Sequence, residues 1–173
     1  PSVLAQLSSF QQARGETEAA LSLLQSALRK NPEASVSRVN LADLYRTLGS
    51  EAAARETLET GIALNADDGA LWFSLALLEV REGNAKQGLQ ALAKAASLEE
   101  TPGYYHYVLA VAQNDQGLST EALATLKATH RAAPGQPNVL AALMQYSQLA
   151  GDRQSAQRYR DELRATVQAA GLQ

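Results

Sequence analysis

Residues 41–58 read LADLYRTLGSEAAARETL, and this stretch decides the fold. Before Gly49, the apolar residues Leu41, Leu44, Tyr45 and Leu48 fall at i, i+3, i+4 and i+7, one face of a helix. After it, Ala54, Leu58 and Gly61 form a second stripe. A glycine just past a helix can adopt the left-handed conformation that ends it, and the following Ser50 suits the N-cap of the next helix. The stretch predicts a helix, a tight turn and a second helix.

The same pattern recurs along the chain. Glycines stand at 15, 49, 83, 117 and 151, every gap being 34 residues, and 5 × 34 = 170 of the 173 residues. Eight residues before each glycine comes Leu7, Leu41, Leu75, Leu109 and Leu143. Five after it comes Ala20, Ala54, Gly88, Ala122 and Ala156, small enough to let paired helices approach. Asn84 and Asp152 join Ser50 as expected N-caps, and Asn84 with Gln87 fits a capping box. The expected helices cover 2–14, 17–30, 35–48, 51–64, 69–82, 85–98, 103–116, 119–132, 137–150 and 153–169. One such hairpin cannot bury its apolar stripe alone, so neighbouring hairpins must stack. The last helix is the most polar, with an apolar stripe of only Ala156, Tyr159, Leu163 and Val167, as suits a terminal cap.

On these positions the chain resembles the tetratricopeptide repeat (TPR) family. Ser8, Gly15, Ala20, Ala27 and Pro32 match the family's small-residue, glycine, alanine and proline positions in the first repeat. Ala42, Gly49, Ala54, Gly61 and Ala66 match in the second, with the proline lost. Trp72, Leu75, Ala76, Gly83, Gly88 and Ala95 match in the third, and Ala110, Gly117, Ala122, Thr129 and Pro134 in the fourth. The fifth keeps Leu143, Gly151 and Ala156 but places Met144 and Leu163 where small residues are usual. The resemblance implies an all-α fold, a right-handed superhelix of ten antiparallel helices. It implies a single solenoid with repeats 1–34, 35–68, 69–102, 103–136 and 137–170. A pentatricopeptide reading needs a 35-residue period that the glycines do not show.

Composition narrows the function. Apolar residues are 46% and charged residues 19%, which excludes a disordered tail. The net charge of −3 argues against a nucleic-acid partner, which calls for a basic face. With no cysteine, thiolate nucleophiles and cysteine-bound metals are excluded. No apolar run reaches the ~18 residues that would insert in a membrane. A soluble protein of bacterial cytoplasm or periplasm is expected, the compartment being left open. The start, Pro1-Ser2-Val3-Leu4, has no features of a secretion signal and already reads as helix, as in a piece of a longer or processed chain.

No catalytic motif stands out. His106 occupies the position of Trp72 one repeat earlier and reads as a residue at the core edge. His130 lies near a helix C-terminus, where the dipole favours it. Asp67-Asp68-Gly69 reads as acidic N-capping, and Glu99-Glu100 as solvated loop charge. Trp72 and Tyr45 read as packing. No metal, cofactor or catalytic residue is expected.

The family resemblance implies a concave groove lined by residues 2, 5, 9, 12 and 13 of each repeat. The candidate partner-binding residues are Val39, Asp43, Arg46, Phe73, Leu77, Arg81, Tyr104, Tyr107, Val111 and Asn114. Ser2, Ala5, Ser9, Gln12 and Ala13 hold these positions in the first repeat; Val36 and Thr47 complete the second, Ala70 and Val80 the third and Asp115 the fourth; Asn138, Ala141, Gln145, Gln148 and Leu149 hold those of the fifth. Asp43 would repel the C-terminal carboxylate that some TPR domains clamp, which disfavours that use. The aromatic and aliphatic side chains suit an apolar, helical segment, and Arg46 and Arg81 suit an acidic flank on it. The leading expectation is a non-enzymatic scaffold holding a protein or peptide. The alternatives are self-assembly into a homo-oligomer and an accessory domain of a larger bacterial enzyme. For the latter, residues from Gly103 to Leu163 are similar to TPR tails of multihaem cytochromes. Any haem would lie elsewhere in the parent chain, since no CxxCH is present.

Overall fold

A computed structural model describes residues 3–171, and their side chains from residue 15 onward. Among these residues there are nine helices and no strand. They are α1 Val3–Lys30, α2 Ser35–Thr47, α3 Glu51–Leu64, α4 Gly69–Arg81, α5 Ala85–Ser97, α6 Tyr104–Asp115, α7 Ser119–Ala132, α8 Pro137–Leu149 and α9 Arg153–Gly171. The all-α expectation holds, with one difference. The first two expected helices are a single 28-residue helix, α1, which runs through Gly15. Glycine inside a helix costs only about 1 kcal/mol relative to alanine. Its neighbours Gln12, Ala13, Glu16, Ala19 and Ala20 are mostly strong helix formers.

The other four glycines of the period do turn the chain. Gly49, Gly83, Gly117 and Gly151 have φ of 72°, 83°, 79° and 77°. The amide after each reaches back to the carbonyl five residues earlier: Ser50 to Tyr45 at 2.8 Å, Asn84 to Glu79 at 2.8 Å, Leu118 to Gln113 at 2.9 Å and Asp152 to Ser147 at 2.9 Å. These bonds satisfy carbonyls that the ending helix leaves unpaired.

Capping differs from expectation at two turns. The Ser50 and Asn84 side chains make no cap hydrogen bond. Asn84 instead donates through Nδ2 to the buried Glu79 at 2.8 Å, so the expected capping box is not formed. Asp152 does cap, accepting from the Ser155 amide at 3.0 Å. Asp68 caps α4, accepting from the Ala70 amide at 2.9 Å.

The chain packs as two compact units, Pro1–Leu78 and Glu79–Gln173, which part within α4. In the first, Ala42, Ala54, Leu58, Leu71, Leu75 and Leu78 form the core. Val39, Tyr45, Ile62 and Trp72 pack at its edge, as expected for Tyr45 and Trp72. In the second, Ala110, Ala122, Leu126, Val139, Leu140, Ala142, Leu143, Tyr146 and Tyr159 form the core. Of the small residues of the repeat, Ala76, Ala110 and Ala122 are fully buried. In α9 only Ala156 and Tyr159 are buried, so most of that helix faces solvent.

Candidate functional site

The first unit carries five of the candidate groove residues. Val39 is half-buried at the core edge, Phe73 is half-buried, and Leu77 is exposed. Arg46 Nε lies 3.3 Å from Asp43 Oδ1 on the exposed side of α2. Arg46, one of the two cations expected to draw an acidic flank, is therefore already engaged within its own helix. Of the first-repeat positions, Ser2 lies outside the described residues, as do the side chains of Ala5, Ser9, Gln12 and Ala13.

The second unit carries the others. Arg81 is exposed at the end of α4. Tyr104, which is 57% exposed, and Tyr107 stand one turn apart on α6, ring centroids 6.5 Å apart. Tyr107, Val111 and Asn114 continue into a cavity of about 350 Å³ between α6 and α8. Asp115, Asn138, Ala141, Ala142, Gln145 and Tyr146 complete its lining. The structure thus brings together the positions 5, 9, 12 and 13 of the fourth repeat with 2, 5 and 9 of the fifth.

Local sequence fixes this cleft. Gln136, just before α8, donates through Nε2 to the Pro102 carbonyl at 2.9 Å. That bond spans 34 residues, one repeat, and ties the approaches to α6 and α8. Thr125 Oγ1 donates to Gln113 Oε1 at 2.9 Å and holds α6 against α7. Glu99, expected as solvated loop charge, instead folds back onto the start of α6. It accepts from the backbone amides of Gly103, Tyr105 and His106 at 3.1, 3.0 and 3.3 Å. It also lies 2.7 Å from His106 Nδ1. Burial raises its pKa, but the bonds from His106, Tyr105 and Gly103 outweigh that and leave it below the ordinary 4.5. His106 is the partly buried residue expected, held by this carboxylate.

The cleft has an aromatic and aliphatic floor with amides around it. Tyr146 is buried and belongs to both core and cleft. Burial first, then the charges of Asp115 and Tyr107, push its phenol above the ordinary 10.0. Sequence reasoning missed Tyr146 because it follows groove position Gln145 and sits at a packing position. Its only signal was a hydroxyl on a side chain large enough to reach past the core.

A second cavity of about 590 Å³ lies between α7 and α9, lined by Lys127, His130, Arg131, Arg158, Tyr159 and Glu162. His130 is in the last turn of α7, as expected, and its Nε2 is 3.2 Å from Glu162 Oε1. Arg158 stacks over the Tyr159 ring at 4.7 Å. The His130–Glu162 contact joins the two helices, and the His130 ring also meets that of Tyr159 edge-on, with centroids 5.8 Å apart. Among the described residues, no group of three or more His, Asp and Glu gathers to hold a metal. No helix among them is long and apolar enough to cross a membrane.

Two profiles, each described as tetratricopeptide repeat, match the chain, one over residues 12–78 and the other over 73–137. No curated protein matches it. Among solved structures, MamA is similar at a TM-score of 0.75 and 16% identity, over 94% of this chain and 95% of that one. Pseudomonas aeruginosa PilF is similar at a TM-score of 0.72 and 18% identity, over 93% and 73%. YrrB, described as a TPR protein with an unusual peptide-binding site, is similar at a TM-score of 0.64 and 19% identity, over 91% and 81%. These likenesses show the fold.

Proposed function

The chain belongs to the tetratricopeptide-repeat family, and from that premise we propose that it is a non-catalytic interaction module that seats a peptide segment in the α6/α8 cleft. Helical repeats of this kind serve as scaffolds for protein–protein interaction. The observation that carries the finer reading is the cleft's lining. Tyr107, Val111, Ala141 and Tyr146 offer apolar area to a side chain, and aromatic rings do so with little rotamer entropy to lose. Asn114, Asn138 and Gln145 each hold an amide, which can donate to and accept from a peptide main chain. Tyr104 extends the aromatic track by one helical turn.

The module's role is then to hold a partner in place. YrrB, a protein of similar fold described as having an unusual peptide-binding site, lends the reading support. The test is a pull-down from an extract of the source organism with the wild-type chain and with Tyr107→Ala plus Val111→Ala. Partners retained by wild type and lost by the folded double variant are the expected result. Equal capture by both would overturn the cleft as the site.

A further inference from the structure

Asp115 is the single charged group among the described residues lining the α6/α8 cleft; the others are tyrosines, aliphatics and amides. It is the last residue of α6, where the helix macrodipole adds negative potential. Its surroundings contrast with those of Asp43, whose carboxylate is already met by Arg46 at 3.3 Å. Asp115 is exposed and shares the lining of the cleft with the buried Tyr146. The whole chain is also net acidic, at −3. An acidic ligand would be repelled here, and a purely apolar one would leave the carboxylate partly desolvated without a partner.

Resting on the peptide-cleft reading above, we propose that the cleft selects a peptide segment bearing an arginine, whose guanidinium pairs with Asp115 and lies against the cleft tyrosines. Arginine fits better than lysine on chemical grounds. Its planar fork meets a carboxylate through two parallel hydrogen bonds, and its face stacks on aromatic rings. Lysine offers a strongly hydrated point charge and loses more on entering an aromatic cleft. Asn114, Asn138 and Gln145 hold the main chain on either side of that arginine.

The test begins with a library of random short peptides displayed on phage and selected on the full chain. Enriched peptides are made with a fluorescent label, and their affinity is read by anisotropy. Four pairings form the cycle: wild type and Asp115→Asn, each with the selected peptide and with its arginine replaced by glutamine. Ala141→Trp, which fills the cleft, is measured beside them. Gln145→Trp, at an exposed position, replaces it if the first variant loses its helical signal. The expected result is enrichment of arginine, about tenfold weaker binding to Asp115→Asn, no such loss for the glutamine peptide, and loss of binding on filling the cleft. Peptides that need an open cleft yet lack arginine, or bind Asp115→Asn as tightly, overturn the arginine assignment and leave the cleft as the site. Selected peptides indifferent to cleft filling, or no enrichment at all, overturn the cleft reading and this inference with it.

Discussion

The Arg38 side chain lies across Gly61: a Cβ built on that glycine would come within 2.6 Å of Arg38 Cδ and 3.0 Å of a Leu71 methyl. Arg38 cannot swing aside cheaply. Its Nε and Nη2 donate to the Pro32 carbonyl at 3.0 and 2.8 Å, and the residue is buried. Alanine normally stabilises a helix over glycine by up to about 1 kcal/mol. At position 61 the sign should invert, because overpacking costs about 1–3 kcal/mol. Urea unfolding of Gly61→Ala checks it. A variant as stable as wild type would mean that Arg38 does not hold this place.

Two glycines of the same 34-residue series should respond in opposite directions. Gly83 has a φ of 83°, where a branched Cβ is strained. Gly83→Val should lose on the order of 1 kcal/mol or more. Gly15 lies inside α1, and nothing stands within 4 Å of an added Cβ. Gly15→Ala should gain about 0.5–1 kcal/mol of helix stability, readable as a higher melting temperature.

Glu99 links stability to acid. Its carboxyl titrates below the ordinary 4.5 in the folded chain, through bonds that outweigh its burial. A depressed carboxyl contributes stability above its unfolded pKa, and that contribution is lost as pH falls through the folded value. Glu99→Gln should therefore destabilise the chain by about 1–3 kcal/mol near neutral pH. Its loss of stability between neutral and acid pH should be smaller than that of wild type. Urea midpoints across that range decide it, and parallel curves for the two proteins would refute the role given to Glu99.

The glycine period was a sound guide to the fold because a left-handed turn is a local demand that few other residues meet. Eight of the expected helices sit within two residues of their places for this reason. Gly15 misled because a glycine permits a turn without requiring one. Side-chain capping was less legible. Ser50 and Asn84 have the right chemistry, but the backbone closes those turns by itself, and Asn84 is drawn to Glu79. The role of Glu99 depends on the loop folding back over seven residues to His106, which no local pattern announces.

The candidate site was legible in part. Tyr107, Val111 and Asn114 could be named from repeat positions, and the cavity between α6 and α8 joins them. The pairing of Arg46 with Asp43 was hidden because the two were read as separate ligand contacts. They are neighbours at i, i+3 on one helix. The weight of Asp115 emerges only when its uncharged surroundings are seen together.

An amide NMR titration of the chain with a selected peptide shows whether a peptide occupies the α6/α8 cleft. The largest shift changes are expected on Tyr107, Val111, Asn114, Asn138 and Gln145, saturating together. Changes centred on Lys127, His130 and Arg158 in the α7/α9 cavity, with the cleft unmoved, would contradict it.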